Sequence, residues 1–123
     1  MSSLDPRFLV VEHGVLEELE DNDAALELVE MYDDETKAVL QQLAATTKSL
    51  DPSTASQTWQ SIWASLHKLK GSSLSIGLAG VAELIESLRA SDAATLHEWF
   101  PATFDQLKTS VEMGVKEIKA KIS

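Results

Sequence analysis

With 123 residues and 44% apolar content, the chain is sized for one domain with one hydrophobic core. It contains no cysteine, which excludes a disulfide framework and any thiolate metal site and fits a reducing compartment. The net charge of −10 is unevenly placed: residues 1–35 carry twelve acids and one base, Arg7, while residues 36–123 carry eight acids and nine bases. An acidic half of this kind argues against nucleic-acid binding, which needs basic patches. It serves either as a solvated helix face or to steer a basic partner.

The longest apolar runs are far too short to span a bilayer. The N-terminus, Met-Ser-Ser-Leu-Asp-Pro-Arg, lacks the charged-then-apolar pattern of a signal peptide. A cytoplasmic protein without membrane partners is the expectation, with nuclear access open in a eukaryote. The start and end of the chain suggest a stand-alone protein.

Taken in order, Asp5-Pro6 is a helix-start signal. A short helix is expected over 9–19, with Leu9, Val10, Val11, Val15, Leu16 and Leu19 as its apolar positions and Gly14 as an interruption. Asp21-Asn22-Asp23 stops it and caps a helix over 23–46. There Leu28, Tyr32, Thr36, Val39 and Leu43 form one stripe, which Leu26, Val29 and Leu40 widen. Asp51-Pro52-Ser53 opens a third helix over 52–75. A fourth, over 78–90, shows Val81, Leu84, Ile85 and Leu88 at helical spacing. After a helical turn or two, Phe100-Pro101 is expected to kink or restart the chain. The last helix, 101–122, carries the cleanest period: Phe104, Leu107, Val111, Val115, Ile118 and Ile122. Long helices with short links predict an all-α, antiparallel up-down four-helix bundle.

The third helix holds the stretch that bears chemistry, Leu-His-Lys-Leu-Lys-Gly-Ser-Ser-Leu-Ser-Ile-Gly from Leu66 to Gly77. Trp59, Ile62, Leu66 and Leu69 make its apolar face, and Ser73 continues it. His67 lies about 120° from the centre of that face, so it points to solvent or to the core rim. Gly71 follows one turn later on nearly the same side. A helical glycine costs about 1 kcal/mol relative to alanine, which suggests a reason to keep that side bare. Lys70 sits on the flank, its stem along apolar surface and its ammonium reaching toward the imidazole. A solvent-facing histidine, a nearby cation and a cleared surface suit a group that takes up a phosphoryl.

These residues resemble the signature of histidine-containing phosphotransfer (HPt) domains, the carriers of multistep two-component relays. That signature is His, two residues, Lys-Gly-Ser-Ser, then a glycine ten residues after the histidine. Here it reads His67, Lys70, Gly71, Ser72, Ser73 and Gly77, with no departure. The resemblance implies a four-helix bundle with an N-terminal helix over one end. It implies that His67 accepts a phosphoryl from a receiver-domain aspartate and passes it to another response regulator. Lys70 would neutralise charge on the transferred group, and Gly71 would let the receiver approach. A polar or basic residue on the next helix faces the histidine in some members, and by spacing this is Arg89, 22 residues on. A helix-end arginine favoured by the macrodipole is an equally good account of Arg89. The resemblance implies no cofactor of the chain's own, since the receiver brings the Mg²⁺, and a monomer that binds receiver domains.

Around this core, Trp63 either packs at the core edge or joins a receiver-docking patch. Lys68 points away from the core, as a solvated charge or a partner contact. Val15 and Met31 are the exposed apolar candidates for the same docking face. Ser73 is read as packing more readily than as chemistry. His13 and His97 are expected at the surface without a role. A di-iron bundle would need Glu-x-x-His, but Val10, Ala64 and Ala94 stand three before the histidines. No Gly-rich nucleotide box is present, so the chain is read as a phosphocarrier without ATP-dependent kinase activity. An adaptor that binds receivers without carrying phosphate is the alternative.

Overall fold

The computed structural model describes residues 5–17 and 21–122. The chain forms an all-α bundle, with no strand among the described residues. The helices are α1 (Gly14–Glu17), α2 (Asn22–Lys48), α3 (Ala55–Ser75), α4 (Ala79–Ser87) and α5 (Leu96–Ile122). Around the bundle, α2 packs on α5 and α3, and α4 packs on α3 and α5. Each bundle helix thus lies beside its sequence neighbours, the up-down arrangement expected from short links. No helix among the described residues is long and apolar enough to cross a membrane.

Local signals set the helix starts. The Asp21 carboxylate accepts the Asp23 N–H at 2.9 Å and caps α2. Asp51 does the same for Ser53 at 2.9 Å, but it opens a 3₁₀ turn, Pro52–Thr54, that leads into α3. Inside, α2 buries Ala25, Val29, Tyr32, Thr36, Leu40 and Leu43. The buried stripe is therefore rotated from the expected one, and Leu28 is 41% exposed. Two flanking helices pull the Val29–Leu40 side inward and leave Leu28 outside. On α3, Ile62, Leu66, Leu69 and Ser73 are buried, in line with the periodicity.

Three expected boundaries are corrected. First, no continuous helix covers 9–19. Pro6–Leu9 is a 3₁₀ turn, and helix resumes only at Gly14, which opens α1 and does not interrupt it. Between them the backbone bonds elsewhere: the Gly80 N–H donates to Val10 O at 2.8 Å, and the Glu12 N–H donates to Gly77 O at 2.7 Å. Ser110 Oγ donates to Phe8 O at 2.6 Å. Groups engaged with α4, α5 and the α3–α4 turn are not available for helix. Leu19 lies outside the described residues. Second, α4 ends at Ser87, and residues 88–90 form tight turns with Leu88 N–H donating to Ile85 O at 3.0 Å. Third, α5 begins at Leu96 and runs through Pro101 without restarting. Proline lacks the N–H that would bond the His97 carbonyl, at a cost of about 3 kcal/mol in a helix interior. Burial of Leu96 and Phe100, both fully enclosed, offsets it at about 1.5–3 kcal/mol each.

The turn from α3 to α4 needs Gly77. Its φ is +89°, and a Cβ there would run into the Glu12 carbonyl. The N-terminal segment is thereby laid over the end of the bundle opposite the start of α3.

Candidate functional site

His67 is exposed in the middle of α3, held by its fully buried neighbour Leu66. A side chain on a packed helix is presented with little backbone freedom. Trp63 is half-buried one turn before it, with the rings 6.3 Å apart and inclined by 41°. Trp63 stands 5.8 Å from Trp59, and Trp59 meets Trp99 edge-on at 5.3 Å. All three tryptophans of the chain thus join in one cluster that reaches His67. Trp99 Nε1 donates to Asp92 O at 2.8 Å and fixes its far end. The period on α3 pointed to Trp59 and Trp63; the addition of Trp99 needs the fold.

Lys70, expected to reach toward the imidazole, is engaged by a carboxylate. Its Nζ donates to Glu86 Oε2 on α4 at 2.7 Å, in a half-buried ion pair. Arg89 approaches the other oxygen of the same carboxylate, Nε to Oε1 at 3.4 Å. Glu86 is a residue that sequence reasoning missed. Its only sequence signal is the i, i+3 spacing to Arg89. The Glu86 carboxyl is held below its ordinary value, chiefly by the Lys70 hydrogen bond, with desolvation opposing and the charges of Arg89, Lys70 and His67 assisting. The Lys70 bond places the carboxylate against the helix that carries His67, three residues along from it.

Gly71 is exposed, and a Cβ built there would meet nothing within 4 Å. No contact inside the protein requires the glycine, so the surface beside His67 is bare toward solvent. Lys68 is exposed on the side of α3 away from the core. Ser72 is half-buried. Ser73 is fully buried, donates to Leu69 O at 2.7 Å and lies 2.7 Å from Tyr32 Oη. With the serine proton directed to Leu69, the tyrosine donates to Ser73 Oγ. Ser73 therefore ties α3 to α2, and burial raises the Tyr32 hydroxyl above its ordinary value.

Among the apolar candidates, Met31 is 58% exposed on α2. Val15 is half-buried at the Gly77 turn, where its Cβ lies 3.5 Å from the place a Gly77 Cβ would take. The expectation of an exposed Val15 is corrected, because the turn closes over it. Gly77 is ten residues beyond His67, roughly 15 Å along a helix. Leu28, which the periodicity placed on the inner stripe, and Leu74, which it did not single out, are exposed apolar residues. His13 and His97 are both half-buried, not at the open surface. His97 Nδ1 is enclosed without a partner among the described residues.

Comparison with curated proteins and with solved structures gives no significant match. The family model described as Hpt domain matches residues 27–113, which include α3, α4 and the whole His67–Gly77 motif. On that match the chain belongs to the Hpt domain family, the phosphocarriers of two-component phosphorelays.

Proposed function

We propose that His67 is the phosphoryl carrier, loaded from the aspartyl phosphate of one receiver domain and unloaded to the aspartate of another. The observation that carries this reading is an exposed imidazole at the centre of a packed helix, beside a surface that Gly71 leaves open. In the forward step an imidazole nitrogen lone pair attacks phosphorus. The N–P bond forms, the acyl-phosphate O–P bond breaks, and the aspartate leaves as carboxylate. The proton on the other ring nitrogen stays or passes to water. The neutral form of the imidazole is the nucleophile, since its lone pair is free. Phosphoryl transfer depends mainly on positioning and charge neutralisation. Mg²⁺ belongs to the receiver in this reading, and no nucleotide is hydrolysed by the chain.

The docking face consists of His67, Trp63, Lys68 and Gly71, with Met31 of α2 as an apolar contributor. Val15 is the weakest member, being partly enclosed at the Gly77 turn. The chain acts as a cytoplasmic monomer. The test is transfer of label from a phosphorylated receiver to wild type and to His67→Gln, with circular dichroism as the folding check. Wild type is expected to take up acid-labile, base-stable phosphate, and folded His67→Gln to take up none while still binding the receiver. Label on the folded variant refutes His67 as carrier. Binding without label on wild type favours the adaptor.

A further inference from the structure

The two cations set beside the phosphoryl by resemblance and spacing, Lys70 and Arg89, meet on one carboxylate. Glu86 Oε2 takes the Lys70 ammonium at 2.7 Å, and Oε1 faces the Arg89 guanidinium at 3.4 Å. Lys70 comes from the helix that carries His67, and Glu86 and Arg89 come from α4 and the turns that follow it. The geometry ties the lysine charge to a carboxylate in the unphosphorylated protein. A phosphoryl on His67 presents oxygens that compete for that ammonium. Lysine has three rotatable N–H donors on a flexible stem, so it can change partners without moving the backbone.

We propose that Glu86 is a positioning residue that restrains Lys70 and thereby sets how readily His67 gains and gives up its phosphoryl. The inference rests on the reading of His67 as the carrier. In the loaded protein Lys70 turns from Glu86 Oε2 to a phosphoryl oxygen, and Glu86 keeps Arg89. No covalent bond or proton changes hands in that exchange; the N–P bond is made by the attack described above. The carboxylate thus opposes loading and assists unloading. A relay intermediate needs such a counterweight, because a phosphohistidine held too firmly does not pass its phosphoryl on.

Glu86→Gln removes the charge and keeps an acceptor for Lys70. A receiver domain charged with labelled acetyl phosphate is incubated to equilibrium with each variant, and the label on protein and receiver is measured. Glu86→Gln is expected to raise the ratio of labelled carrier to labelled receiver about three- to fivefold, the scale of one partly exposed charge pair. The rise is expected to vanish when Glu86→Gln is introduced into Lys70→Met, and Glu86→Asp is expected to restore the wild-type ratio. Loss of a merely structural contact would lower uptake, not raise it. An unchanged or lowered ratio in folded Glu86→Gln overturns the proposal, as does an equal rise in the Lys70→Met background. Wild type that takes no label, either from the receiver or from phosphoramidate, removes the carrier reading itself. Labelled wild type beside an indistinguishable Glu86→Gln removes only the role of Glu86.

Discussion

Lys70 on α3 and Glu86 on α4 are joined by a 2.7 Å hydrogen-bonded ion pair across the helix interface beside His67. The lysine is therefore not a free surface charge but one held by a carboxylate. Lys70→Ala is expected to slow transfer or shorten the phosphohistidine lifetime, because no ammonium is left to meet the phosphoryl. The effect on folding should be small, since partly exposed ion pairs contribute little. Transfer rates in both directions, together with thermal melts, check this. Unchanged kinetics would show that the cation takes no part.

The same pair gives a pH signature. The Glu86 carboxyl is depressed below its ordinary value of 4.5, first by the Lys70 hydrogen bond. A group whose folded value is lowered contributes stability that is fully present above the unfolded value. That contribution is lost as pH falls through the folded value. Urea unfolding of wild type and Glu86→Gln across an acid series should show a gap in stability above pH 4.5 that closes on further acidification. A gap that widens toward low pH would contradict the assignment. Added salt should shrink it, since the pair is partly exposed.

Gly71 offers a test in which stability and function move in opposite directions. A side chain there meets nothing in the protein, and glutamine is a better helix former than glycine. Gly71→Gln should leave the fold intact or stabilise it by about 0.5 kcal/mol. Transfer should nevertheless fall, because the side chain stands where a receiver must approach. Normal transfer rates in Gly71→Gln would move the docking face elsewhere.

The buried Tyr32–Ser73 hydrogen bond separates scaffold from chemistry within the motif. Ser73→Ala leaves the Tyr32 hydroxyl without its acceptor and should cost roughly 1–3 kcal/mol. Adding Tyr32→Phe removes the stranded hydroxyl and should recover part of that loss. Denaturant unfolding of both singles and the double measures the coupling. Phosphoryl uptake by folded Ser73→Ala should stay near wild type; strong loss would assign the serine a direct role.

The bundle and the exposure of His67 were legible in the sequence because both follow from helical period. Ile62, Leu66 and Leu69 mark the inner face of α3, and His67 must then stand outside it. The start of α2 was legible from its cap, whose signal is local. The N-terminal segment was not, because its backbone is held by Gly77, Gly80 and Ser110, far along the chain. Pro101 misled for a related reason: its local penalty is overridden by the burial of Leu96 and Phe100.

By itself, the sequence determined the helical class, the inward stripe of α3 and the His67–Gly77 motif, since each is written in spacings of a few residues. Tertiary structure alone decided that Val29 and Leu40, not Leu28, anchor α2, and that the three tryptophans gather beside His67. It also decided that Lys70 is bound by a carboxylate 16 residues away. The physical reason is that helical period defines a face but not the neighbour that will cover it. Side-chain partners on different helices are chosen only when the helices pack.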